Sequence, residues 1–351
     1  MVPIIILGLL ANLINVAIFA TPLMRQTLIN RFFLALSVSD FLLLLCTFFM
    51  FSLPVLAELC HALVFQQMAS YAMRWVYPLG SVIQTYNVYL TVLVSFHRFL
   101  GVCYPFKAQQ IHSSQQVNVS IISALLFSFV ANISRWLEMS IVQCYSNLYN
   151  RLSIMLQPTA LLQDSSYFFY YRILLYSAYM FFFPFAFLIT VNLCITRTLW
   201  RSRAQRQAIA HGSIAGTEQK ERSISLMLLA VVCMFLVCNV LALINNVVDI
   251  VLFYKDTTHH HYFRRIFTFM VETGNLLVAV NSAATIVIYV SFCSKYVLIL
   301  KLLSSRTAIE RAQSLPSRTP DAPELRALLT AKNGIETRKN SSIIGFTATK
   351  L

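Results

Sequence analysis

Charged residues are scarce in this 351-residue sequence: Asp, Glu, Lys and Arg together make up 11%, whereas 58% of the residues are hydrophobic. A soluble globular protein has about 25% charged residues, which cover its surface. So small a share excludes a soluble fold of this size, and the apolar content excludes disorder for most of the chain. The composition therefore indicates a protein that crosses a membrane several times, with lipid as the solvent of its apolar surface.

Sequence patterns of metal and catalytic sites are also missing. The eight cysteines form no Cys-x-x-Cys pair and no Cys/His cluster, which argues against a zinc site. The run His259–His261 can bind metal, but an exposed loop is the simpler interpretation. No Ser/His/Asp, His-Glu-x-x-His or paired intramembrane Asp pattern is visible in the sequence. We therefore expect neither an enzyme nor a cofactor.

Seven apolar runs are long enough to cross a membrane as helices, which takes about 20 residues each. Membrane β-strands would instead alternate apolar and polar residues over about ten positions. The runs, numbered spans 1 to 7, are Val2–Ala20, Phe32–Leu56, Tyr71–Tyr104, Val117–Met139, Tyr167–Trp200, Ile224–Phe253 and Tyr262–Val290. They predict an all-α membrane protein built as a seven-transmembrane helix bundle.

Two further segments follow the seventh run. Ser291–Leu303 is too short to span, but its apolar residues recur at helical spacing, and Lys295 and Lys301 can snorkel. We therefore expect an interfacial eighth helix. Residues 304–351 are rich in Ser, Thr, Pro and charge, which is typical of disorder. The sequence thus predicts a membrane domain over residues 1–303 and a disordered tail over residues 304–351.

The basic residues orient the seven spans, since Lys and Arg concentrate in loops on the cytoplasmic side of a membrane. With the amino terminus outside, 20 of the 27 Lys and Arg residues fall in the inner loops and the tail. We therefore expect a multi-pass plasma-membrane protein with an outside amino terminus and a cytoplasmic tail. Contact of these loops with anionic lipid explains the net charge of +14, and nucleic-acid binding is not expected.

Short motifs on successive spans resemble those of rhodopsin-like G-protein-coupled receptors. Span 1 has Gly8-Leu-Leu-Ala-Asn12, and span 2 has Leu36-Ser-Val-Ser-Asp40. Span 3 ends in Phe96-His97-Arg98-Phe99, similar to the Asp/Glu-Arg-Tyr motif of that class. Span 7 has Asn281-Ser282 and Tyr289 in the place of Asn-Pro-x-x-Tyr. The resemblance implies a receptor that signals through a heterotrimeric G protein.

Within that class, the chain resembles the FMRFamide-type neuropeptide receptors of invertebrates. The end of span 4, Asn132-Ile-Ser-Arg-Trp-Leu-Glu138, is similar to that branch's Asn-x-Pro-Arg-aromatic-x-Glu. Tyr77-Pro-Leu79 in span 3 and Gly274-Asn-Leu-Leu277 in span 7 are also similar. The resemblance covers roughly residues 4–300 and implies an extracellular Arg-Phe-amide peptide as the ligand.

Some residues depart from the patterns of the class. His97 replaces the acidic neighbour of Arg98, Leu241 stands where span 6 usually has Pro, and Thr285 replaces the Asn of the last motif. A divergent or orphan receptor with altered signalling is therefore an open alternative. A membrane transporter is another, although the odd number of spans and the lack of a visible repeat between the halves argue against it.

The resemblance assigns an activation switch to the interior and inner end of the bundle. Asp40 would stabilise the resting state through a sodium or water site, or would be neutral and hydrogen-bonded to nearby amides. Arg98 would pair with an acid in the resting state, or would only snorkel to lipid; Glu221 is the candidate partner across the bundle. The predicted set is Asp40, Asn12, Arg98, Glu221, Asn281 and Tyr289.

The outer ends of the spans offer candidates for a peptide site. An Arg-Phe-amide peptide needs an acid for its cation and aromatic rings around its Phe. Glu272 and Asp249 are the leading cation partners, but outer acids can also pair with the chain's own arginines, and outer aromatics can simply pack. The predicted ligand-binding set is Glu272, Asp249, Glu138, Trp75, Tyr77 and Tyr86.

Two cysteines are expected on the outer side, Cys60 and Cys144. Span 3 has Met73 where the class usually has its outer Cys. Because the secretory route permits disulfides, a Cys60–Cys144 bridge is one expectation and a free Cys144 is the other.

Overall fold

The structure is a computed structural model that describes residues 1–60, 63–111, 113–146, 151–207, 215–255 and 261–304. Within them, seven helical segments are long and apolar enough to cross a membrane, which confirms the predicted bundle. In the structure spans 1 to 7 are Val2–Phe19, Leu28–Cys60, Leu63–Cys103, Ser114–Leu137, Tyr167–Arg201, Ser225–Val248 and Arg265–Phe292. Most ends lie within a few residues of the prediction, but span 3 begins at Leu63 instead of Tyr71.

Each span is one helix or several helices in series. The α-helices of the spans are Val2–Phe19, Leu28–Thr47, Leu53–Cys60, Leu63–Cys103, Ser114–Ala131, Phe183–Gln207, Ala215–Lys255 and His261–Phe292. Spans 2 and 5 also contain π-helical segments, which are Phe48–Ser52, Tyr167–Leu175 and Ala178–Phe182. Span 4 ends in the 3₁₀ turn Ile133–Leu137. The short helices outside the spans are Pro22–Arg25, Pro105–Ile111 and Ala160–Gln163.

Span 4 begins at a capping box. The Ser113 hydroxyl accepts a hydrogen bond from the Gln116 N–H at 3.2 Å, and the Gln116 side chain accepts one from the Ser113 N–H at 3.3 Å. These two bonds satisfy backbone donors that have no partner at a helix start. The sequence therefore fixes where this span leaves the loop.

An antiparallel β-hairpin joins spans 4 and 5, which the sequence did not predict. Strand β1 (Met139–Ser146) pairs along its whole length with strand β2 (Arg151–Pro158). The base of the hairpin is tied to span 4 by Thr159. Its hydroxyl donates to the Leu137 carbonyl at 2.7 Å, and its N–H donates to the Glu138 carbonyl at 2.9 Å. We call this side of the bundle the hairpin end.

The eighth helix, Ser294–Ser304, lies at the opposite end, since successive spans reverse direction. It contacts span 1 through Tyr296, whose side chain is 0% exposed. The Tyr296 ring packs 5.6 Å from the Phe19 ring and 5.8 Å from the Tyr289 ring. The predicted helix Ser291–Leu303 thus has nearly the observed bounds. The tail predicted over residues 304–351 lies outside the described residues, except for Ser304.

Span 1 approaches spans 2 and 7 closely at Gly8. A Cβ atom at this position would lie 2.7 Å from the Ala283 Cβ and 2.7 Å from the Leu44 Cδ1. Both distances are shorter than van der Waals contact, so the packing requires glycine. The first residue of the span 1 motif is therefore a packing residue.

Large apolar side chains cover the outside of the bundle as well as its core. Leu7, Leu126 and Val130 are 66%, 62% and 66% exposed. Such side chains are stable on a helix surface that faces lipid, because the helix satisfies its own backbone hydrogen bonds. The exposed apolar side chains therefore account for the high apolar content of the sequence.

The expected disulfide is not formed. Cys60 and Cys144 are both free cysteines, which corrects the expectation of a bridge between them and leaves the free Cys144. The physical reason is their placement: Cys60 is the exposed last residue of a helix in span 2, whereas Cys144 lies within β1 opposite Ser153.

Candidate functional site

A cavity of about 280 Å³ lies at the hairpin end, between spans 3, 5, 6 and 7. We call it the hairpin-end cavity. Ligand pockets have volumes of about 300–1,000 Å³, so this cavity lies near the lower end of that range and suits a small group such as the end of a peptide. Its polar lining side chains are Tyr77, Ser81, Gln84, Arg135, Arg172, Tyr176, Asn245, Asn246 and Asn275.

Glu138 lies beside this cavity and is 0% exposed. Its carboxylate accepts hydrogen bonds from Arg135 Nη1 at 3.4 Å and from the Tyr167 hydroxyl at 3.0 Å. It also forms a salt bridge with Arg172 Nη1. A buried carboxylate needs such partners, because its desolvation penalty is large. Glu138 was predicted as a partner for a ligand cation, but the structure places it against two arginines of the chain itself.

Local backbone geometry brings these charges together. Arg135 and Glu138 are three residues apart at the 3₁₀ turn that ends span 4, and side chains at that spacing eclipse each other in a 3₁₀ helix. Arg172 projects from the π-helical start of span 5. The Tyr77 hydroxyl of span 3 accepts from Arg135 Nη1 at 3.1 Å and from Arg172 Nη2 at 3.4 Å. The cluster therefore joins spans 3, 4 and 5.

Aromatic rings surround the two guanidinium groups. The Arg135 guanidinium lies 4.9 Å from the centre of the Tyr176 ring, and that of Arg172 lies 5.9 Å from the Phe168 ring. Rings at these distances stabilise a cation through their quadrupole. The arginines are therefore held in place even where their polar contacts are few.

The other predicted ligand-binding residues lie in different places. Tyr77 lines the hairpin-end cavity, whereas Trp75 is 58% exposed. Tyr86 packs against the apolar core on the side of the eighth helix. Glu272 is exposed, next to the lining residue Val271. The side chain of Asp249 lies outside the described residues.

Several lining residues were not predicted as ligand-binding residues. Arg172 and Gln84 are two of them. Asn245 had no assigned role, although its Nδ2 donates to the Met270 carbonyl at 3.1 Å and ties span 6 to span 7. One signal could have found Arg172: a buried Glu138 with one nearby arginine needs further donors, and Arg172 is the basic residue near the start of the next span.

Asp40 is 1% exposed in the centre of the bundle. Its Oδ1 accepts from Asn87 Nδ2 at 2.7 Å, a partner on span 3 that the sequence interpretation missed. Its Oδ2 is buried without a hydrogen bond of good geometry among the described residues, as is the Ser282 hydroxyl, which lies close enough to the Asp40 carboxylate to interact with it. Hard cations take oxygen ligands of this kind, so these atoms fit the predicted sodium site.

Of the predicted amide neighbours of Asp40, Asn12 has other hydrogen-bond partners. Asn12 Nδ2 donates to the Ser282 carbonyl at 2.8 Å and to the Gly8 carbonyl at 2.9 Å. Asn12 therefore ties span 1 to span 7 without bonding the Asp40 carboxylate. Asn281 is 8% exposed.

Tyr289 is fully buried near the end of span 7. Its ring makes edge contacts with the rings of Phe19 at 5.0 Å and Phe33 at 5.4 Å. Its hydroxyl has no hydrogen-bond partner among the described residues. In this structure Tyr289 therefore acts through ring packing.

A second cavity, of about 240 Å³, lies at the opposite end between spans 3, 5 and 6. Arg98 is half-buried and lines it, together with Asn192 and Ser225. The side chain of Glu221, the predicted partner of Arg98, lies outside the described residues. The two cavities formed by the described residues thus lie at opposite ends of the bundle.

Comparisons with known proteins complete the description. Residues 11–289 match the family described as "7 transmembrane receptor (rhodopsin family)". The chain is 26% identical over 310 residues to "FMRFamide receptor" of Drosophila melanogaster, covering 88% of this chain and 53% of that protein. It is 27% identical over 301 residues to "FMRFamide peptide receptor frpr-18" of Caenorhabditis elegans, covering 84% and 65%. It is 26% identical to "Probable G-protein coupled receptor frpr-1" of Caenorhabditis elegans over 83% and 74%. The chain thus spans about half to two thirds of the first two relatives.

Proposed function

The chain belongs to the rhodopsin family of seven-transmembrane, G-protein-coupled receptors, and we propose that it binds an extracellular neuropeptide ending in Arg-Phe-amide. The observation that carries the proposal is the polar hairpin-end cavity, whose volume suits the end of a peptide. The names of two relatives support the same ligand class. This family consists of receptors and not of enzymes or transporters, which removes the transporter alternative.

Signal transfer would follow from a shift between two states of the bundle. A ligand that contacts span 6 at Asn245 and Asn246 differently in the two states biases their populations. Movement of span 6 at the opposite end would widen the cavity lined by Arg98 and Ser225, because both cavities border this span. A heterotrimeric G protein would bind there.

The proposed location is the plasma membrane, with the amino terminus and the hairpin end outside. The distribution of Lys and Arg supports this orientation, since 20 of 27 fall in the loops and tail assigned to the cytoplasm. The eighth helix would then lie at the inner interface, where Lys295 and Lys301 meet anionic lipid.

The ligand's arginine would bind at the mouth of the cavity. Glu272 is exposed next to the lining residue Val271, so its carboxylate remains available to a cation. Asp249 is the second candidate, because it directly follows the last residue of span 6 in the same helix. Trp75, also exposed at the hairpin end, offers a ring to the peptide.

Altered switch residues favour a second candidate, a receptor of this family with raised or abnormal basal signalling. His97 replaces the usual acidic neighbour of Arg98. Thr285, in the place of an Asn, donates its hydroxyl within its own helix, to the Ser282 carbonyl 3.3 Å away. By the resemblance, the usual residues at these two positions restrain the resting state, so both replacements would weaken that restraint.

Recruitment of a G protein in cells tests the proposal. The full chain is expressed with a luminescent G-protein reporter, surface expression is measured, and a panel of neuropeptides with and without an Arg-Phe-amide end is applied. We expect dose-dependent recruitment by at least one Arg-Phe-amide peptide and none in cells that lack the receptor. Recruitment only by peptides without that end would contradict the ligand class. A silent chain at normal surface density would contradict the proposal as a whole.

A further inference from the structure

The charges around the hairpin-end cavity do not balance. Two guanidinium groups share the single carboxylate of Glu138, and the side chains of Glu138, Arg135 and Arg172 are 0%, 6% and 25% exposed. Glu138 lies behind the two arginines, and among the described residues no acid lines the cavity itself. The wall therefore carries an excess positive charge in a partly desolvated place, where charge is weakly screened. Such a wall repels a ligand cation and attracts a hydrogen-bond acceptor.

Arg172 has donors to spare. A guanidinium carries five N–H groups, and the described bonds of Arg172 use one nitrogen on Glu138 and the other on the Tyr77 hydroxyl. This arginine is also the more exposed of the two, and it lines the cavity. Its remaining N–H groups are available to an acceptor on a ligand.

Asn245 provides the complementary group on span 6. Its side chain is 7% exposed, and the bond from its Nδ2 to the Met270 carbonyl fixes which way the amide points. The other amide atom, Oδ1, is buried and has no hydrogen-bond partner among the described residues. A buried acceptor without a donor is unfavourable. A ligand N–H that donates to this oxygen would therefore increase the affinity of the ligand.

We propose that the hairpin-end cavity is a subsite for a primary carboxamide, the group at the carboxyl end of an amidated peptide. The carboxamide oxygen accepts from Arg172, and its NH₂ donates to Asn245 Oδ1. A carboxylate lacks the N–H that Asn245 requires, and a guanidinium lacks the acceptor that Arg172 requires. The inference rests on the proposed function, because it names the end of the peptide that enters the cavity. It also keeps the ligand's arginine outside.

The ligand side is tested on the unaltered full chain. Three forms of one activating peptide are compared by G-protein recruitment: the primary amide, the free acid and the N,N-dimethylamide, which has no N–H donor. We expect the primary amide to be roughly tenfold or more as potent as the dimethylamide, the size of one to two buried hydrogen bonds; the free acid keeps the bond to Arg172 and lacks the bond to Asn245. Equal potency of the primary amide and the dimethylamide would overturn the subsite and leave the proposed function intact. If no form of any Arg-Phe peptide activates the receptor, the proposed function fails and the subsite with it.

The receptor side is tested by Asn245→Leu, which keeps volume and removes the acceptor. We expect the advantage of the amide over the dimethylamide to disappear. Asn239→Leu is the matched control, because Asn239 lies buried on the same span and its Nδ2 donates within its own helix, to the Phe235 carbonyl at 2.8 Å. The Asn239→Leu variant should still respond to the amide at lower concentration than to the dimethylamide. A full amide preference in Asn245→Leu would overturn the assignment of Asn245.

Arg172→Gln tests the donor. We expect the potencies of the amide and the acid to fall by roughly tenfold or more, since each loses a charge-assisted hydrogen bond. Arg74→Gln is the control, because this substitution removes the same charge from span 3. The Arg74 guanidinium lies over the Trp75 ring at 4.8 Å, away from the proposed contact with the ligand. Equal potency losses in both variants would overturn a specific contact with Arg172. If Arg172→Gln fails to reach the surface, the comparison of the three peptides on the unaltered chain decides.

Discussion

The hydroxyl of Tyr296 donates a hydrogen bond to Asn15 Oδ1 over 2.5 Å and joins the eighth helix to span 1. Both side chains are 0% exposed. Burial raises the pKa of the Tyr296 phenol, so the hydroxyl remains a donor at physiological pH. Tyr289 belongs to the same aromatic cluster, but its hydroxyl has no hydrogen-bond partner among the described residues. The two tyrosines therefore allow ring packing to be separated from hydrogen bonding.

Tyr296→Phe should destabilise the protein while Tyr289→Phe should not. The first change leaves Asn15 Oδ1 without this donor in a buried place, at a loss of about 1–3 kcal/mol. The second removes a buried hydroxyl that makes no described hydrogen bond and should therefore not lower stability, because burying an unpaired polar group is itself unfavourable. Thermal melting of the purified full chain in detergent measures both. Equal melting temperatures for the two variants would show that the Asn15 bond contributes nothing.

The seven spans were predictable because each needs only about 20 apolar residues in a row. The eighth helix was predictable because Tyr296 and Ile299 recur at helical spacing beside lysines. The hairpin was not, because Met139–Ser146 has no strict alternation of apolar and polar residues and derives its order from pairing with Arg151–Pro158. Patterns within one segment can thus be predicted, whereas partners across segments cannot.

Glu138→Gln tests the charge cluster. Replacing this carboxylate leaves Arg135 and Arg172 facing each other without an anion, and breaking a buried ion pair typically destabilises by about 3–5 kcal/mol. Glu272→Gln is the control, since Glu272 is exposed and lies outside the cluster. We expect surface expression and melting temperature to fall sharply for the first variant only. A Glu138→Gln protein as stable as the Glu272→Gln protein would mean that the arginines do not depend on this carboxylate.

The site was predictable only in part for the same reason. Asp40 and Glu138 could be singled out because carboxylates in apolar runs are rare and need partners. Their partners, Asn87 and Arg172, lie 47 and 34 residues away in sequence. Glu138 was therefore assigned to a ligand cation when the fold supplies two cations of its own.

Sodium should stabilise the protein through Asp40. The buried Asp40 Oδ2 and Ser282 hydroxyl offer oxygen ligands, and an ion at ten times its Kd adds about 1.4 kcal/mol to the stability of the state that binds it. Asp40→Asn should keep a contact with Asn87 and lose the sodium effect. Melting curves in sodium chloride and in choline chloride at equal ionic strength measure the difference. If the unaltered chain melts identically in both salts, the ion site is absent.

His97→Asp should lower basal signalling. Restoring an acid next to Arg98 would supply a charge-assisted hydrogen bond in the resting state, worth about 1.5–3 kcal/mol and therefore able to shift the resting population by tenfold or more. His97→Asn is the control, because it has nearly the size of Asp and no charge. Recruitment of G protein without ligand, normalised to surface density, measures the effect. Unchanged basal signalling in His97→Asp would count against a weakened restraint on Arg98.

Glu272→Gln should weaken peptides that carry arginine and spare those that do not. With the cavity wall positively charged, the ligand's guanidinium has to bind at the mouth, where Glu272 is exposed beside Val271. We expect a potency loss of up to about fivefold for an Arg-Phe-amide peptide, which corresponds to the upper value of about 1 kcal/mol for an exposed ion pair. The same peptide with neutral citrulline in place of arginine should lose almost none. Glu58→Gln is the control at another exposed acid of the hairpin end, and it should change the potencies of the two peptides equally. Since Asp249 is the second candidate, the cation-partner proposal fails if Glu272→Gln and Asp249→Asn both leave the potency of the arginine peptide intact.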